Sequence, residues 1–217
     1  HDKRLGLHQS SATALRQALR DGMSLQELKN QMPQQAYDVL ENYSQINFPV
    51  YINDFSEILY YKLLSEQEKG YEEYIDVSSA LSDRIQKHLY EFDGFDHFCD
   101  LLKTKEITYS RISRCLLHIL LNMSKDRLDY YMNGCNITPY ARILGFRSSS
   151  SELLSAIHTN TQIPLVTKLA DAHKTLSPDA QEMLKQEIRI NDIYSLIRAS
   201  KAKIPMVNEY STPLVIV

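Results

Sequence analysis

The stretch Thr108-Tyr-Ser-Arg-Ile-Ser-Arg-Cys-Leu-Leu-His-Ile-Leu-Leu-Asn122 predicts the most regular helix of this 217-residue chain. At about 100° per residue, one narrow face carries Arg111, Arg114, Cys115, His118 and Asn122. Apolar residues cover the remainder: Ile112, Leu116, Leu117, Ile119, Leu120 and Leu121. A helix that is apolar over most of its girth is largely buried. We therefore expect the two arginine side chains to reach solvent along a narrow exposed face of an otherwise buried helix.

Caps and helix-ending residues predict further helices on both sides of this segment. Ser10 or Ser11 is a suitable N-cap for a first helix, and Asp21-Gly22 ends it. Pro178 favours the start of a long last helix, because proline is well placed in a first turn. The predicted helices cover residues 11–20, 24–30, 33–43, 55–64, 77–92, 95–103, 125–132, 152–158 and 178–199. With six glycines and no tryptophan, the chain has few of the turns that sandwiches and barrels need.

Strand-like spacing is confined to three short segments. We expect short strands over 140–146 and 163–167, and we expect the closing run Pro213-Leu-Val-Ile-Val217 to dock as an edge strand. Asn47-Phe-Pro49 interrupts the helical pattern, because the proline lacks an N–H and disfavours a helical residue before it. The expected fold class is therefore mainly α, a helical domain with a few short β-strands.

The composition is that of a soluble chain with a core, and it excludes several classes. The chain is 43% hydrophobic and 24% charged. Cys99, Cys115 and Cys135 show no CxxC spacing and the histidines no HxH or HxxxH spacing, so neither disulfides nor a metal site are expected. The most apolar stretch, 115–121, is far shorter than the roughly 20 residues of a membrane helix, which indicates a cytoplasmic protein without membrane contact. A chain that opens on His1 also suggests processing or truncation.

Charge is unevenly divided along the chain. Residues 53–100 carry 12 acidic and 4 basic side chains, whereas residues 103–147 carry 8 basic and 3 acidic ones. A basic block in an acidic protein favours contact with a polyanion, because each Lys or Arg that meets a phosphate releases counterions. The alternative is that the two blocks pair within the molecule, for example the two helix arginines with Asp96 or Asp100.

Near the amino end, Ser11-Ala-Thr-Ala-Leu-Arg16 resembles the second signature of HxGH-type nucleotidyltransferases, S-[ST]-T-x-[IL]-R. In that family the segment opens a helix whose hydroxyls and N–H groups face the triphosphate, a sound arrangement because a helix N-terminus attracts anions. Many helices begin with Ser and Thr as caps, so six residues alone are a weak signal. The first signature, HxGH, occurs nowhere in the chain, nor does a P-loop or GxGxxG.

Several segments, in order, resemble the bacterial tRNA(Met) cytidine acetate ligases. The most specific are Thr108-Tyr-Ser-Arg-Ile-Ser-Arg114 and Pro139-Tyr-Ala-Arg-Ile-Leu-Gly-Phe146. The others are His1-Asp2, Ser11-Ala-Thr-Ala-Leu-Arg16, Leu116-Leu-His-Ile-Leu-Leu-Asn122, Ile163-Pro-Leu-Val-Thr-Lys168 and Pro213-Leu-Val-Ile-Val217. Two details depart from the family pattern: Gln9 stands where an apolar residue is usual, and Ser148-Ser-Ser-Ser151 replaces a turn that contains glycine.

This resemblance implies an ATP-dependent ligase. Such an enzyme activates acetate with ATP and Mg²⁺, giving acetyl-adenylate and pyrophosphate, and then acetylates the wobble cytidine of elongator tRNA(Met). The resemblance further implies that the chain lacks the N-terminal α/β nucleotidyltransferase domain, its partner within the same enzyme. Residues 1–30 would close that domain, and residues 31–217 would form a helical C-terminal domain that holds tRNA. The chain alone is then expected to be inactive, with no cofactor bound.

The resemblance also implies which residues form the sites. Three residues take the nucleotide-binding positions: Ser11, Thr13 and Arg16. The tRNA-binding candidates are Lys103, Lys105, Arg111, Arg114, His118, Arg142, Arg147 and Lys168. Of these, Lys103, Lys105 and Arg147 rest on the basic block alone, and a lone histidine such as His118 is more commonly a satisfied residue at the edge of a core.

Two other functions stay open at this point. A non-catalytic helical RNA-binding or scaffold module would use residues 11–16 only to start a helix, and it would bind tRNA without activity. The tail of an adenylyltransferase that acts on a small molecule would bind no tRNA, and its basic block would only pair with acidic residues.

Overall fold

The computed structural model describes residues 10–44, 49–134 and 138–217. Helices α1 to α9 are, in chain order, Ala12–Arg20, Gln34–Ser44, Ser56–Glu66, Ser79–Lys87, Phe95–Leu102, Tyr109–Leu120, Lys125–Gly134, Ser151–Asn160 and Pro178–Ala202. Strands β1 to β4 are Ala141–Arg142, Gly145–Phe146, Leu165–Val166 and Val215–Ile216. Short 3-10 helices cover Lys29–Gln31, Ile52–Phe55, Leu89–Glu91, Ser148–Ser150, Leu169–Lys174 and Glu209–Ser211. The sequence features named at His1-Asp2, Gln9, Asn47-Phe48 and Cys135 lie outside the described residues.

Most predicted helices are confirmed, with two exceptions. The helix predicted over 77–92 is interrupted, because α4 ends at Lys87 and a separate 3-10 helix follows. The helix predicted over 24–30 is wrong, since this segment forms turns and a 3-10 helix. Ser24 and Glu27 form a capping box: the Glu27 carboxylate accepts from the Ser24 N–H at 2.8 Å, and the Ser24 hydroxyl accepts from the Glu27 N–H at 3.4 Å. The residues that follow continue only as turns and the 3-10 helix Lys29–Gln31.

Contacts divide the chain into two compact units, and the first takes the described part of residues 1–50 together with Arg198–Ile204. Its small core consists of Ala18, Leu28, Met32 and Tyr37, with Leu15, Leu19 and Leu25 packed against them. The start of α1 is tied to this core, because the Ser10 N–H and hydroxyl donate to Gln31 oxygens at 2.9 and 2.7 Å. The orientation of α1 is therefore fixed by packing on one side.

The second unit takes Tyr51–Ile197 and Pro205–Val217, and its main core lies among α3 to α6. Helix α6 packs against α3 and α5. It is predicted to be mostly buried, and five of its residues are: Ile112, Cys115, Leu116, Ile119 and Leu120. The helix ends there because Asn122 takes a left-handed backbone conformation, with φ of 55°. Such a helix is a rigid base for whatever side chains remain exposed.

A smaller cluster of the second unit lies along α9. It buries Val166, Ala172 and Leu176 against Ala180, Leu184 and Ile188, three α9 residues spaced by four. That spacing places them on one face of the helix. Leu165–Val166 pairs in parallel with Ala141–Arg142, so β1 is carried by this cluster.

The strand predicted over 140–146 is split into β1 and β2, because each half pairs with a different strand. Strand β2 pairs in parallel with β4, which confirms the predicted docking of the C-terminal run. Val215 N–H donates to Leu144 O and Val217 N–H to Phe146 O, both at 3.2 Å. A Cβ on Gly145 would lie 2.7 Å from Val215 O, so only glycine allows the two backbones to come this close.

Within residues 10–44, 49–134 and 138–217, no helix is long and apolar enough to cross a membrane.

Candidate functional site

The Ser11 to Arg16 segment opens helix α1, as predicted. Ser11 is the N-cap, and its Oγ accepts from the Ala14 N–H at 3.2 Å. Thr13 is half-buried and Arg16 is exposed, while Ala14 faces the core. In the part of the chain that the structure describes, neither the Thr13 hydroxyl nor the Arg16 guanidinium has a hydrogen-bond or ion-pair partner. A helix start with these donors fits a phosphate group.

Helix α6 presents Arg111 and Arg114 on its exposed side. Thr108 caps the helix, and its hydroxyl accepts from the Arg111 N–H at 3.4 Å. The Arg111 guanidinium makes no hydrogen bond or ion pair with any described residue. Arg114 is paired, but with Asp76: its Nε donates to Asp76 Oδ2 at 2.8 Å. Pairing between the two charge blocks therefore occurs for one arginine, through a different acid from the two that the sequence suggested.

His118 lies one turn beyond Arg114 and is mostly buried, with 14% of its side chain exposed. Its Nδ1 lies 2.9 Å from Ile75 O. Because a carbonyl oxygen only accepts, Nδ1 carries the proton and donates it. Asp76 Oδ2 lies 3.9 Å from the same nitrogen. His118 thus holds the loop that also presents Asp76, and its proposed RNA contact stays a prediction.

Lys103 and Lys105 precede α6 and differ in their surroundings. Lys103 pairs with Asp100 at 2.9 Å, and both side chains are largely exposed. Lys105 is exposed and has no ion pair among the described residues. An exposed pair of this kind is worth little and exchanges easily for a phosphate.

Arg142 occupies a different environment from the other cations. Its Nη1 donates to Glu187 at 2.9 Å and its Nη2 to Glu209 at 2.6 Å, with 15% of the side chain exposed. Tyr140 donates to Glu187 as well, and Asn191 to Glu209. Burial alone would lower the pKa of Arg142, but the hydrogen bonds to Glu209 and Glu187 outweigh it and raise the pKa. The predicted tRNA contact at Arg142 therefore competes with an existing ion network.

The two remaining cations lie on other elements of the second unit. Arg147 follows β2, is exposed, and has no side-chain partner in the described ranges. Lys168 is 71% exposed and pairs with Asp171 at 3.3 Å. Lys174 shares that carboxylate, and the two lysines lower the pKa of Asp171. The structure thus brings Arg111, Arg114 and His118 onto one face, and among the described residues no hydrogen bond or ion pair links the other candidates to them.

No group of three or more His, Cys, Asp or Glu side chains suited to a metal ion occurs within the described ranges. The buried thiols are also poor nucleophiles: burial raises the pKa of Cys99 to about 12, and burial raises the pKa of Cys115 as well.

Comparison with known proteins identifies the family. A family model described as HIGH Nucleotidyl Transferase matches residues 1–208. The chain belongs to the HIGH nucleotidyl transferase family. A tRNA(Met) cytidine acetate ligase of Clostridium kluyveri is 34% identical over 209 residues, covering 95% of this chain and 48% of that protein. One from Caldanaerobacter subterraneus subsp. tengcongensis is 31% identical over 188 residues, covering 86% and 45%. The predicted kinship with this group of ligases is confirmed, and the chain spans about half the length of the curated relatives it matches.

Solved structures agree with this HIGH nucleotidyl transferase assignment at the level of fold. Thermotoga maritima TmcAL in an apo form superposes with a TM-score of 0.84 at 20% identity, covering 100% of this chain and 52% of that one. A form of TmcAL bound with alpha-thio ATP gives a TM-score of 0.80 at 21% identity, covering 98% and 53%.

These matches correct the expected fold class. The sequence interpretation was a mainly α helical domain that lacks, and stands apart from, the N-terminal α/β nucleotidyltransferase domain. That prediction is wrong, because the HIGH nucleotidyl transferase model itself matches residues 1–208 and the TmcAL fold covers the whole chain. The physical reason is that helical periodicity reports only local structure, and the absence of HxGH reports only the absence of one motif. Neither tells to which domain of a family the surrounding helices belong.

Sequence reasoning missed Asp76 and Lys125, which organise the loop beside α6. Asp76 pairs with Arg114, and Lys125 Nζ donates to Glu72 O and Val77 O at 2.6 and 2.8 Å. Asp76 lies 38 positions before Arg114, and no local pattern signals that approach. The only hint was that acidic residues are concentrated in 53–100.

Proposed function

We propose that this chain forms part of an ATP-dependent ligase that activates acetate and acetylates the wobble cytidine of elongator tRNA(Met). Two comparisons support the proposal: relatives at 31 to 34% identity carry the name tRNA(Met) cytidine acetate ligase, and TmcAL, which shares the fold, binds alpha-thio ATP. The cytoplasm, where tRNA is modified, is the compartment that this proposal requires.

The reaction would proceed in two steps. An acetate oxygen attacks the α-phosphorus of ATP, supplied with Mg²⁺, and the bond to the β-phosphate breaks to release pyrophosphate. The exocyclic amine of cytidine then attacks the acetyl carbonyl carbon, loses a proton and releases AMP. Ser11, Thr13 and Arg16 would serve the phosphate end of the nucleotide, because Ser11 caps the start of a helix and Arg16 adds an exposed guanidinium one turn later.

The observation that carries the tRNA part of the proposal is the exposed face of α6. Arg111 has no ion partner among the described residues, and Arg114 uses only its Nε toward Asp76. Both arginines stand on a helix whose opposite side is buried in the main core, so their backbone positions are fixed before RNA arrives. Arginines held in this way can meet neighbouring phosphates with little loss of entropy. Residues 31–217 would then hold the tRNA, and residues 1–30 would close the nucleotide site.

The test is binding of elongator tRNA(Met) to the chain across a salt series, for the wild type, Arg111→Ala and Arg114→Ala. A cation that meets a phosphate contributes about 0.9 to the slope of log K against log salt. Each substitution is therefore expected to weaken binding and to reduce the slope by about one. Arg189→Ala is the matched control, because Arg189 is an exposed arginine of α9 without an ion pair among the described residues.

The alternatives predict different results. If the chain does not bind tRNA even at low salt, the tRNA part of the proposal fails. The tail of a small-molecule adenylyltransferase then becomes the better interpretation. If Arg189→Ala reduces the slope as much as Arg111→Ala, binding is a diffuse charge effect and α6 is not the site. A scaffold module would bind tRNA with the expected slopes but would support no acetylation in the whole enzyme.

A further inference from the structure

Asp76 lies in the loop between α3 and α4 with its backbone in the left-handed region, at φ of 65°. Residues other than glycine are uncommon there, although aspartate tolerates this region better than most. Three bonds from the α6 side hold the turn. Cys115 Sγ donates to Asp76 O at 3.4 Å, His118 Nδ1 donates to Ile75 O at 2.9 Å, and Ile75 N–H donates to Met123 O at 3.0 Å.

Lys125, the first residue of α7, fixes the same loop at both ends. Its Nζ donates to Glu72 O at 2.6 Å and to Val77 O at 2.8 Å, and its N–H donates to Glu73 O at 2.8 Å. The loop is therefore tied down on either side of Asp76. Residues that their surroundings hold in this uncommon conformation are concentrated at functional sites.

The bond between Asp76 and Arg114 uses only one edge of the guanidinium. Arg114 Nε donates to Asp76 Oδ2 at 2.8 Å, while Nη1 and Nη2 make no hydrogen bond or ion pair with any described residue. The guanidinium is planar and offers five N–H donors. A bond at Nε restricts the orientation of that plane and leaves the four Nη donors available. The Arg114 side chain is 59% exposed, so these donors are accessible to a phosphate.

We propose that Asp76 is a positioning residue for RNA binding: it orients Arg114 so that the Nη donors meet a backbone phosphate. This inference rests on the proposed tRNA-binding function of α6. It assigns a favourable role to an acidic side chain at the edge of a basic face. His118 and Cys115 contribute indirectly, because they hold the turn that carries Asp76.

The sign of the Asp76 contribution separates positioning from simple charge. A carboxylate near a phosphate repels it, so charge alone predicts that removing Asp76 tightens RNA binding. Positioning predicts the opposite, because an unrestrained arginine must lose side-chain freedom when it binds. The two effects therefore lead to opposite changes in affinity for the same substitution.

The experiment compares Asp76→Gly with Asp76→Asn in binding of elongator tRNA(Met) across a salt series. Glycine accepts the left-handed backbone and removes the carboxylate, whereas asparagine accepts the same backbone and keeps an oxygen for Arg114 Nε. We expect Asp76→Gly to weaken binding about fivefold and to reduce the salt slope toward that of Arg114→Ala. Asp76→Asn should lie close to the wild type. Asp100→Asn calibrates the charge effect, because Asp100 pairs with exposed Lys103, and we expect it to bind slightly more tightly.

A double mutant tests whether Asp76 acts through Arg114. In an Arg114→Ala background, Asp76→Gly should cause no further loss, whereas a general disturbance of the fold would still weaken binding.

Tighter binding by Asp76→Gly would overturn the inference and leave the tRNA-binding proposal intact, provided that Arg111→Ala and Arg114→Ala reduce the slope. If neither arginine substitution changes the slope, both the proposed function and the role of Asp76 fail. Thermal unfolding of each variant identifies any that no longer folds.

Discussion

At the scale of a single residue, Arg142 joins three elements through one guanidinium. It lies on β1, and it bonds Glu187 on α9 and Glu209 in the 3-10 helix Glu209–Ser211. Arg142→Ala would leave the carboxylates of Glu187, 39% exposed, and Glu209, 19% exposed, without their shared cation. We expect a loss of roughly 2–3 kcal/mol in the free energy of unfolding, less than for a fully buried pair because Glu187 is partly exposed. Urea unfolding measures this loss.

Lys168→Ala is the control for Arg142→Ala, because Lys168 is also a family-like cation with a carboxylate partner, Asp171, but the pair is exposed. We expect no measurable change in stability for this control. If Arg142→Ala instead unfolds like the wild type and reduces the salt slope of tRNA binding by about one, Arg142 is an RNA contact, as the family motif predicts.

At the scale of an element, β4 depends on the glycine opposite it. A Cβ at position 145 would lie 2.7 Å from Val215 O and 3.0 Å from Val215 Cβ, so a backbone must move. We expect Gly145→Ala to cost about 1–3 kcal/mol, as overpacking does elsewhere, and to release the C-terminal strand. Hydrogen exchange measures this directly, because the Val215 and Val217 amides donate across the pair.

Two variants separate loss of the strand from a general effect of Gly145→Ala. Leu144→Ala, next to it, removes a side chain that is 67% exposed, and it should leave exchange unchanged. In a chain that ends at Thr212, Gly145→Ala should cost nothing further, since its neighbour is gone. A full cost in that shortened chain would place the strain of Gly145→Ala somewhere other than β4.

At the scale of the whole molecule, the sequence predicts the elements that local patterns determine, but it does not predict contacts between residues far apart in the chain. Helix α6 follows from its apolar periodicity, and the docking of β4 follows from the run Pro213 to Val217. The partners of Arg114 and Arg142 could not be predicted, because they lie 38, 45 and 67 positions away. The expected fold class was also wrong, because helical periodicity does not identify the family domain, which the match over residues 1–208 and the likeness to TmcAL do.

The last prediction concerns the activity of the chain as a whole. Acetate-dependent exchange of pyrophosphate into ATP requires a complete triphosphate site. The chain supplies Ser11, Thr13 and Arg16 but contains no HxGH sequence, and its curated relatives are about twice as long. We therefore expect tRNA binding without exchange above background. Exchange by the purified chain that disappears in Arg16→Ala would contradict this, and it would place a working nucleotide site within these 217 residues.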